Sequence, residues 1–432
     1  LFGDGVDLNE TGSRLVISGM LASGNSNTQS KSGEVMLIKF DDDAFSSGEI
    51  YGIVGSGYGA SNLDIDDQLD DNDQFGRGIS LDRDGDRMAV TSTYDDGSDD
   101  LQTNTGAVYL FTFSDTNFST PEFKGKIGKG YTGSNNLDIN SLADNERAWR
   151  VALDGDGDRL AFSGYRTTTG AIETGSVYLV TFGDNFSTPE HVGTIGRSYS
   201  SDNEHNLSIS TLDDRDLFTS VALTDDGSGL VVGAQRDDGY DDTATNAGAV
   251  YLITFSDTSY AGGKHVGTIG AGYTGSNNIN LLSQGDNNAP VIEVSDLFGV
   301  SVALDGDADV LAVGSYGDHG YSEGGSERDD SGSVFMISLN SDFKGGEVKS
   351  RIGHGYTYNT GSDCYANSTC ASFSQDFDTE SETDLKLNKK DRLGWSVTLN
   401  HEGSLLAASR IFDDGKGNNA TNAGAVNLFK FM

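Results

Sequence analysis

The chain has 432 residues, with 67 Asp and Glu against 28 Lys and Arg. The resulting net charge of −39 argues against nucleic acid and anionic membranes as partners, because phosphate contacts need clustered Lys and Arg. With 58 Gly and 3 Pro the bias is toward tight turns, and no run approaches the roughly 18 apolar residues of a membrane span, so no membrane insertion is expected.

"FGDGVDLNETGSRLVISG" (2–19) is the first of six versions of one segment. The chain opens at Leu1, in phase with this segment and without an initiator Met, which predicts trimming of a precursor. The segment returns as "FGRGISLDRDGDRMAV" (75–90), "AWRVALDGDGDRLAF" (148–162), "FTSVALTDDGSGLVVG" (218–233), "FGVSVALDGDADVLAVG" (298–314) and "LGWSVTLNHEGSLLAAS" (393–409). Each is followed by a constant run: "GEVMLIKF", "GAVYLFTF", "GSVYLVTF", "GAVYLITF", "GSVFMISL" and "GAVNLFKF". In five of the six units a third run follows: "IVGSGY", "KIGKGY", "TIGRSY", "TIGAGY" and "RIGHGY".

Each full unit therefore holds four short apolar runs, a to d, bounded by turn residues and rich in Val, Ile, Tyr and Phe, as strands are. The unit length runs from 70 to 95 residues, measured between Leu8, Leu81, Leu153, Leu223, Leu304 and Leu399. Four-stranded units repeated in one chain predict an all-β protein, a single six-bladed β-propeller. The repeats fall near 1–74, 75–146, 147–216, 217–296, 297–391 and 392–432. A stacked solenoid is disfavoured, since its repeats usually have about 20–45 residues.

The pattern "FG-SVAL-DGD-LAVG", then "DDG", then "GAVYLFTF", resembles the FG-GAP repeats of integrin-α-like β-propellers over all six units. The resemblance implies the propeller fold, with run a innermost. It leaves function open among adhesion, lectin, lyase and purely structural roles.

It also implies a calcium loop between runs a and b, and "LDGDGDRLAFSG" (153–164) does space Asp154, Asp156 and Asp158 two apart. Run b arrives too early for the distal ligand of that loop. The first unit has Asn9, Glu10 and Thr11 there and the sixth has Asn400, His401 and Glu402. A hairpin turn, which needs Asp, Asn and Gly, accounts for all six versions and is the expectation. A second acidic loop, between runs b and c, recurs in units two, four and six: "YDDGSDDLQTNTGAV" (94–108), "RDDGYDDTATNAGAV" (236–250) and "FDDGKGNNATNAGAV" (412–426). Its residues Asp95, Asp96, Asn104, Asp237, Asp238, Asn246, Asp413, Asp414 and Asn422 suit either an oxygen shell for calcium, the one cofactor suggested, or an Ω-loop built on Asx-turns.

Four residues before the reference leucines stand Asp4, Arg77, Trp149, Thr219, Val300 and Trp395, which an innermost run a would place just before the strand, around the axis at one mouth. Arg77, Trp149, Arg150 and Trp395 there suit a sugar or polar ligand, or simply pack one blade on the next. The six histidines are scattered, and His191 and His265 share a place in "HVGTIG" that suggests packing or a solvated edge. No nucleophile elbow, P-loop or HExxH occurs, and acids are too abundant for any pair to mark a glycosidase, so no enzyme is expected.

The link between units five and six carries a polar insertion (358–390), expected to be a surface excursion that contacts a neighbour. Its Cys364 and Cys370 read as a small disulfide loop rather than a zinc site, which would lack two ligands. Asn9, Asn117, Asn185, Asn206, Asn367 and Asn419 head glycosylation sequons. Unit six stops at "GAVNLFKFM" without run d, so its run c is expected to end the blade as an open edge. Three covers compete for that edge: a short charge-shielded blade, the 358–390 insertion, or a strand from another chain. Together these features predict a non-enzymatic extracellular structural or adhesive module of a cell-surface or filamentous assembly, self-associating through the last blade. A glycan-binding lectin is the alternative, and a polysaccharide lyase a more distant one.

Overall fold

The computed structural model describes residues 2–59, 62–133, 135–166, 173–200, 203–282, 292–320, 330–354, 387–388, 390–415 and 420–431. Cys364, Cys370, Asn367, Asn419 and nearly all of the 358–390 insertion lie outside the described residues.

Blade one comprises β1 (Val6–Leu8), β2 (Arg14–Ser18), β3 (Glu34–Lys39), β4 (Glu49–Gly55) and β5 (Leu63–Asp64). Blade two follows with β6 (Phe75–Leu81), β7 (Arg87–Ser92), β8 (Ala107–Thr112), β9 (Glu122–Gly128) and β10 (Leu137–Asp138). Blade three has β11 (Ala148–Leu153), β12 (Arg159–Gly164), β13 (Ser176–Gly183), β14 (Ser187–Gly196) and β15 (Leu207–Ser208). Blade four has β16 (Phe218–Leu223), β17 (Gly229–Ala234), β18 (Ala249–Thr254), β19 (Lys264–Gly270) and β20 (Ile279–Asn280). Blade five has β21 (Phe298–Leu304), β22 (Val310–Ser315), β23 (Ser333–Leu339) and β24 (Gly346–Gly353), and blade six β25 (Leu393–Leu399), β26 (Leu405–Arg410) and β27 (Ala425–Lys430).

The strands of each sheet pair in chain order, the first three or four as an antiparallel meander, and the innermost strands β1, β6, β11, β16, β21 and β25 touch one another in a closed circle. The protein is an all-β, six-bladed β-propeller. The middle strands are apolar on both faces because each sheet is sandwiched between two others: "AVYLFT" of β8 is buried throughout. The outer strand β9 is buried only along the half that lies under its neighbours.

Blades of four strands are too few for the first four units. There a fifth, two-residue strand pairs in parallel with the outer one, as in Ile195↔Leu207 and Ile269↔Ile279. An asparagine holds each in place. Asn62, Asn136, Asn206 and Asn278 accept the N–H of Ile53, Lys126, Thr194 and Thr268 at 2.8–2.9 Å. A run this short has no periodicity to detect, and its anchor is polar. Among the described residues blade six has three strands.

The blades meet where a glycine precedes each third strand. Gly33, Gly106, Gly175, Gly248, Gly332 and Gly424 all have positive φ, from 74° to 94°. A Cβ at any of them would lie 2.0–2.6 Å from backbone atoms that open the next blade, at Phe75, Ala148, Phe218, Phe298, Leu393 and Phe2 in turn. Alongside, Phe75, Phe218, Phe298, Leu393 and Phe2 donate their N–H to Ser32, Thr174, Ala247, Ser331 and Ala423 of the preceding blade at 2.8–3.1 Å. The contact between blade six and blade one is built like the rest, so the ring closes by packing. Gly248→Ala should cost more than about 3 kcal/mol, because a left-handed backbone and a steric clash combine. Gly59→Ala, where a Cβ meets nothing within 4 Å, should stay within about 0.5 kcal/mol in the same urea titration.

Candidate functional site: the two mouths of the axial channel

The innermost strands enclose an axial cavity of about 130 Å³, lined by Val6, Ile79, Val151, Val221, Val302 and Val397 and by the six reference leucines. Asp7 puts a carboxylate into this wall. It accepts from Leu81 N–H (2.6 Å), Leu8 N–H (2.9 Å) and Thr398 Oγ1–H (2.6 Å), tying blades one, two and six together. It lines the cavity, and burial pushes its pKa up to about 6.

At one mouth the six turns between first and second strands lie side by side. The first residue of each, Asn9, Asp82, Asp154, Thr224, Asp305 or Asn400, accepts the N–H five residues on at 2.7–3.1 Å. The stretch that resembles a calcium loop is thus a turn whose leading acid satisfies its own backbone, which explains why Asn and Thr substitute for Asp. Backbone bonds join neighbouring turns: Glu10 to Arg83 (2.9 Å), Arg83 to Gly155 (3.1 Å), Gly155 to Asp225 (3.0 Å), Gly306 to His401 (2.8 Å) and His401 to Glu10 (3.2 Å).

At the opposite mouth Arg77, Trp149, Arg150 and Trp395 do come together. They lie inside the first strands rather than just before them. Arg150 reaches across the axis, donating to the carbonyls of Asp4 (2.7 Å), Arg77 (2.9 Å) and Trp395 (2.9 Å). The Arg77 guanidinium lies 3.8 Å from the Trp149 ring centre and 4.7 Å from that of Trp395, with Asp4 at 3.5 Å. Tyr165 stacks on Trp149 (4.2 Å) and Tyr316 packs on Trp395 (4.9 Å). Burial, then repulsion from Arg77, lowers the Arg150 pKa to about 9. At the axis itself these side chains form a plug, their ring faces covered by one another. Nothing in the sequence marks Arg150 as the residue that crosses.

In the second-to-third-strand loops, Asp95 accepts from Tyr109 (2.8 Å), Tyr131 (2.7 Å) and the Gly97 N–H (2.9 Å), while Asp96 accepts the Asn104 N–H (2.6 Å). Blade four repeats this with Asp237, Tyr251, Tyr273 and Gly239, and with Asp238 and Asn246. In blade six Arg410 lies 2.8 Å from Asp413, and Asp414 accepts from Asn422 (2.7 Å). The Gly97 and Gly239 bonds, each to the aspartate two residues back, have the form of an Asx-turn. Among the described residues no three His, Cys, Asp or Glu side chains group as metal ligands.

Asn9 is buried in its turn, leaving no room for a glycan, and Asn206 is one of the fifth-strand anchors, whereas Asn185 is exposed and Asn117 half-buried. His191 and His265 pack, each bonding the carbonyl two residues on and lying against Tyr178 or Tyr251.

No family model matches this chain, and no curated protein does. Among solved structures, the β-propeller domain of Cps50 (Swd1) from Myceliophteria thermophila is 9% identical, covering 99% of this chain and 96% of that one, with a TM-score of 0.42. A functionally unknown protein from Desulfotomaculum acetoxidans is 10% identical over 98% of this chain and 88% of that one (TM-score 0.42). The RRP9 WD40 repeats are 8% identical over 99% and 94% (TM-score 0.43). Likeness at these values carries no argument about function, and the fold stands on the strand pairings above.

Four aspartates that sequence reading missed precede first strands. Asp73, Asp216, Asp296 and Asp391 each accept the N–H three residues back at 2.7–3.0 Å. Burial, the largest cause, raises Asp73 to about 7, Asp216 to about 8 and Asp391 to about 6, and pushes Asp296 upward as well. A raised folded-state pKa means that the folded chain holds protons the unfolded chain has released. The stabilisation is complete below about pH 4 and is lost as pH climbs through 6 to 8. Exposed Asp42, Asp115 and Asp257, lowered by hydrogen bonds from nearby backbone and serine groups, act only at the acid end. The melting temperature should therefore be higher at pH 5 than at pH 8.5; equal or reversed values would contradict the assignment.

Proposed function

We propose that this chain is a non-enzymatic extracellular propeller module with a structural or adhesive role, which joins a cell-surface or filamentous assembly by accepting a strand on β27. The observation that carries this reading is the outer side of blade six. In blades one to five the third strand is covered by β4, β9, β14, β19 or β24, and among the described residues β27 has no such neighbour. An apolar groove of about 270 Å³ runs between it and blade one, lined by Phe2, Ile38, Ile50, Val426 and Leu428, with Ile50 61% exposed.

The groove lies where the absent strand would place its own apolar residues. Val54, Ile127, Ile195, Ile269 and Ile352 of the five outer strands are all buried. Among the described residues the core between blades six and one holds seven buried apolar side chains, against twenty between blades four and five. Adding a strand would pair the open backbone and fill that core. Lys430, half-exposed and 3.5 Å from Asp43, is thin protection for the edge. A high net charge keeps other surfaces apart, which favours association through one specific edge. The FG-GAP resemblance adds adhesion as a role that such propellers serve. The strongly shifted aspartates hold turns, which is structural work rather than acid–base chemistry.

The test is a synthetic peptide, KHVGTIGAGY, copied from residues 264–273. It should bind saturably, and at a hundredfold excess over its Kd it should stabilise the chain by about 2.7 kcal/mol. A scrambled peptide should do neither. A chain indifferent to the native peptide and monomeric at all concentrations would overturn the reading.

A further inference from the structure

The axial plug has an unbalanced charge. Arg77 and Arg150 are 4% and 7% exposed, and the carboxylate set between them is that of Asp4 alone. Around the plug stand further guanidiniums on the same mouth. Arg147 lies 4.7 Å over Tyr94, Arg166 lies 5.7 Å over Tyr165 and Arg392 lies 5.0 Å over Tyr316, while Arg236, exposed, is near enough to act on Tyr316. Arg166 and Arg392 have carboxylates at 3.7 Å (Glu173) and 3.5 Å (Asp330). Arg147, Arg150 and Arg236 have no ion pair among the described residues. In a chain with 67 acids this is a concentration of uncompensated positive charge around one mouth.

The same mouth offers hydrogen bonds. The hydroxyls of Tyr94, Tyr165 and Tyr316, all close to Arg77, have no protein partner among the described residues, and Tyr94 and Tyr316 are half-exposed. Amphipathic rings with free hydroxyls beside guanidiniums match a ligand with many hydroxyls and a carboxylate. The surroundings limit its charge. Asp70, Asp71, Asp99, Asp100, Asp241 and Asp242 are exposed on loops of the same face. A long polyanion would run into this acidic rim, whereas a single charged end reaches the axis without crossing it.

We infer that this mouth binds the terminal residue of an acidic oligosaccharide, one carboxylated sugar, with its carboxylate toward Arg236 and its hydroxyls on Tyr316 and the neighbouring tyrosines. The inference is independent of the open edge of blade six, so either can fail alone.

The experiment is calorimetric titration of the chain with oligosaccharides ending in glucuronic, galacturonic or sialic acid, each beside its carboxyl-reduced counterpart. Long sulfated dextran and poly-glutamate serve as controls. At least one carboxylated end should bind, with its reduced counterpart weaker by tenfold or more. Arg236→Ala, at an exposed position, should weaken binding about tenfold, as loss of one charged hydrogen bond does. Tyr316→Phe should weaken it less, with the melting temperature of both variants unchanged. No binding by any carboxylated oligosaccharide, equal binding of the reduced forms, preference for sulfated dextran or poly-glutamate, or indifference to Arg236→Ala would each overturn the inference.

Discussion

The ring depends on one close approach, made six times, in which the backbone before a third strand lies against the backbone opening the next blade with no side chain between them. Only glycine tolerates both the positive φ and the contact. At five of the six seams the phenylalanine or leucine that opens the next blade donates its N–H across the seam. A layer of hydroxyls repeats the link nearer the axis. Thr91, Ser163, Ser220 and Ser301 donate to the carbonyls of Trp149, Thr219, Gly299 and Gly394 of the next blade at 2.8–3.0 Å. Side-chain packing then fills what the backbone contacts have positioned, and the mouths inherit their geometry from the same seams.

Such a frame explains where the charge goes. Acids occupy turns, where a carboxylate can accept several N–H groups, and the loops at both ends of each blade, where it can meet water. The first arrangement buries aspartates and pushes their pKa upward, as at Asp73 and Asp216. The second covers the faces of the molecule with like charge. Two places escape: the arginine-rich mouth and the apolar flank of β27. They differ in chemistry, one offering cations and hydroxyls and the other, among the described residues, a strand edge without a neighbour beside an apolar groove, so they suit different occupants.

Much of this was legible in the sequence because the units can be compared with one another. The recurring apolar runs specify strands and blades, and the resemblance to FG-GAP repeats implies the innermost position of the first run. The loss of acids in "NETG" and "NHEG" identifies the turn, and the side chains of Asn9 and Asn400 act there as aspartates do elsewhere. The fifth strands were not legible, since two residues have no pattern and asparagine is common in this chain. Nor were the partners of Asp95. Tyr109 and Tyr131 lie 14 and 36 residues away, and the same offsets separate Asp237 from Tyr251 and Tyr273. That recurrence was available as a signal, but only a folded sheet shows that both hydroxyls reach one carboxylate. The tryptophan and arginine ring was located from repeat alignment together with the innermost first run that the resemblance implies, while its character as a covered plug follows from ring stacking, which spacing does not encode.

The central claim is that blade six presents an open strand, and amide hydrogen exchange on the isolated chain tests it most directly. In a strand paired on one side only, alternate amides face outward. Along Ala425–Lys430 those alternate amides should exchange at near solvent rates, while every amide of Ser333–Leu339, the paired strand at the same place in blade five, stays protected. Uniform protection along Ala425–Lys430 in a monomer would contradict the account.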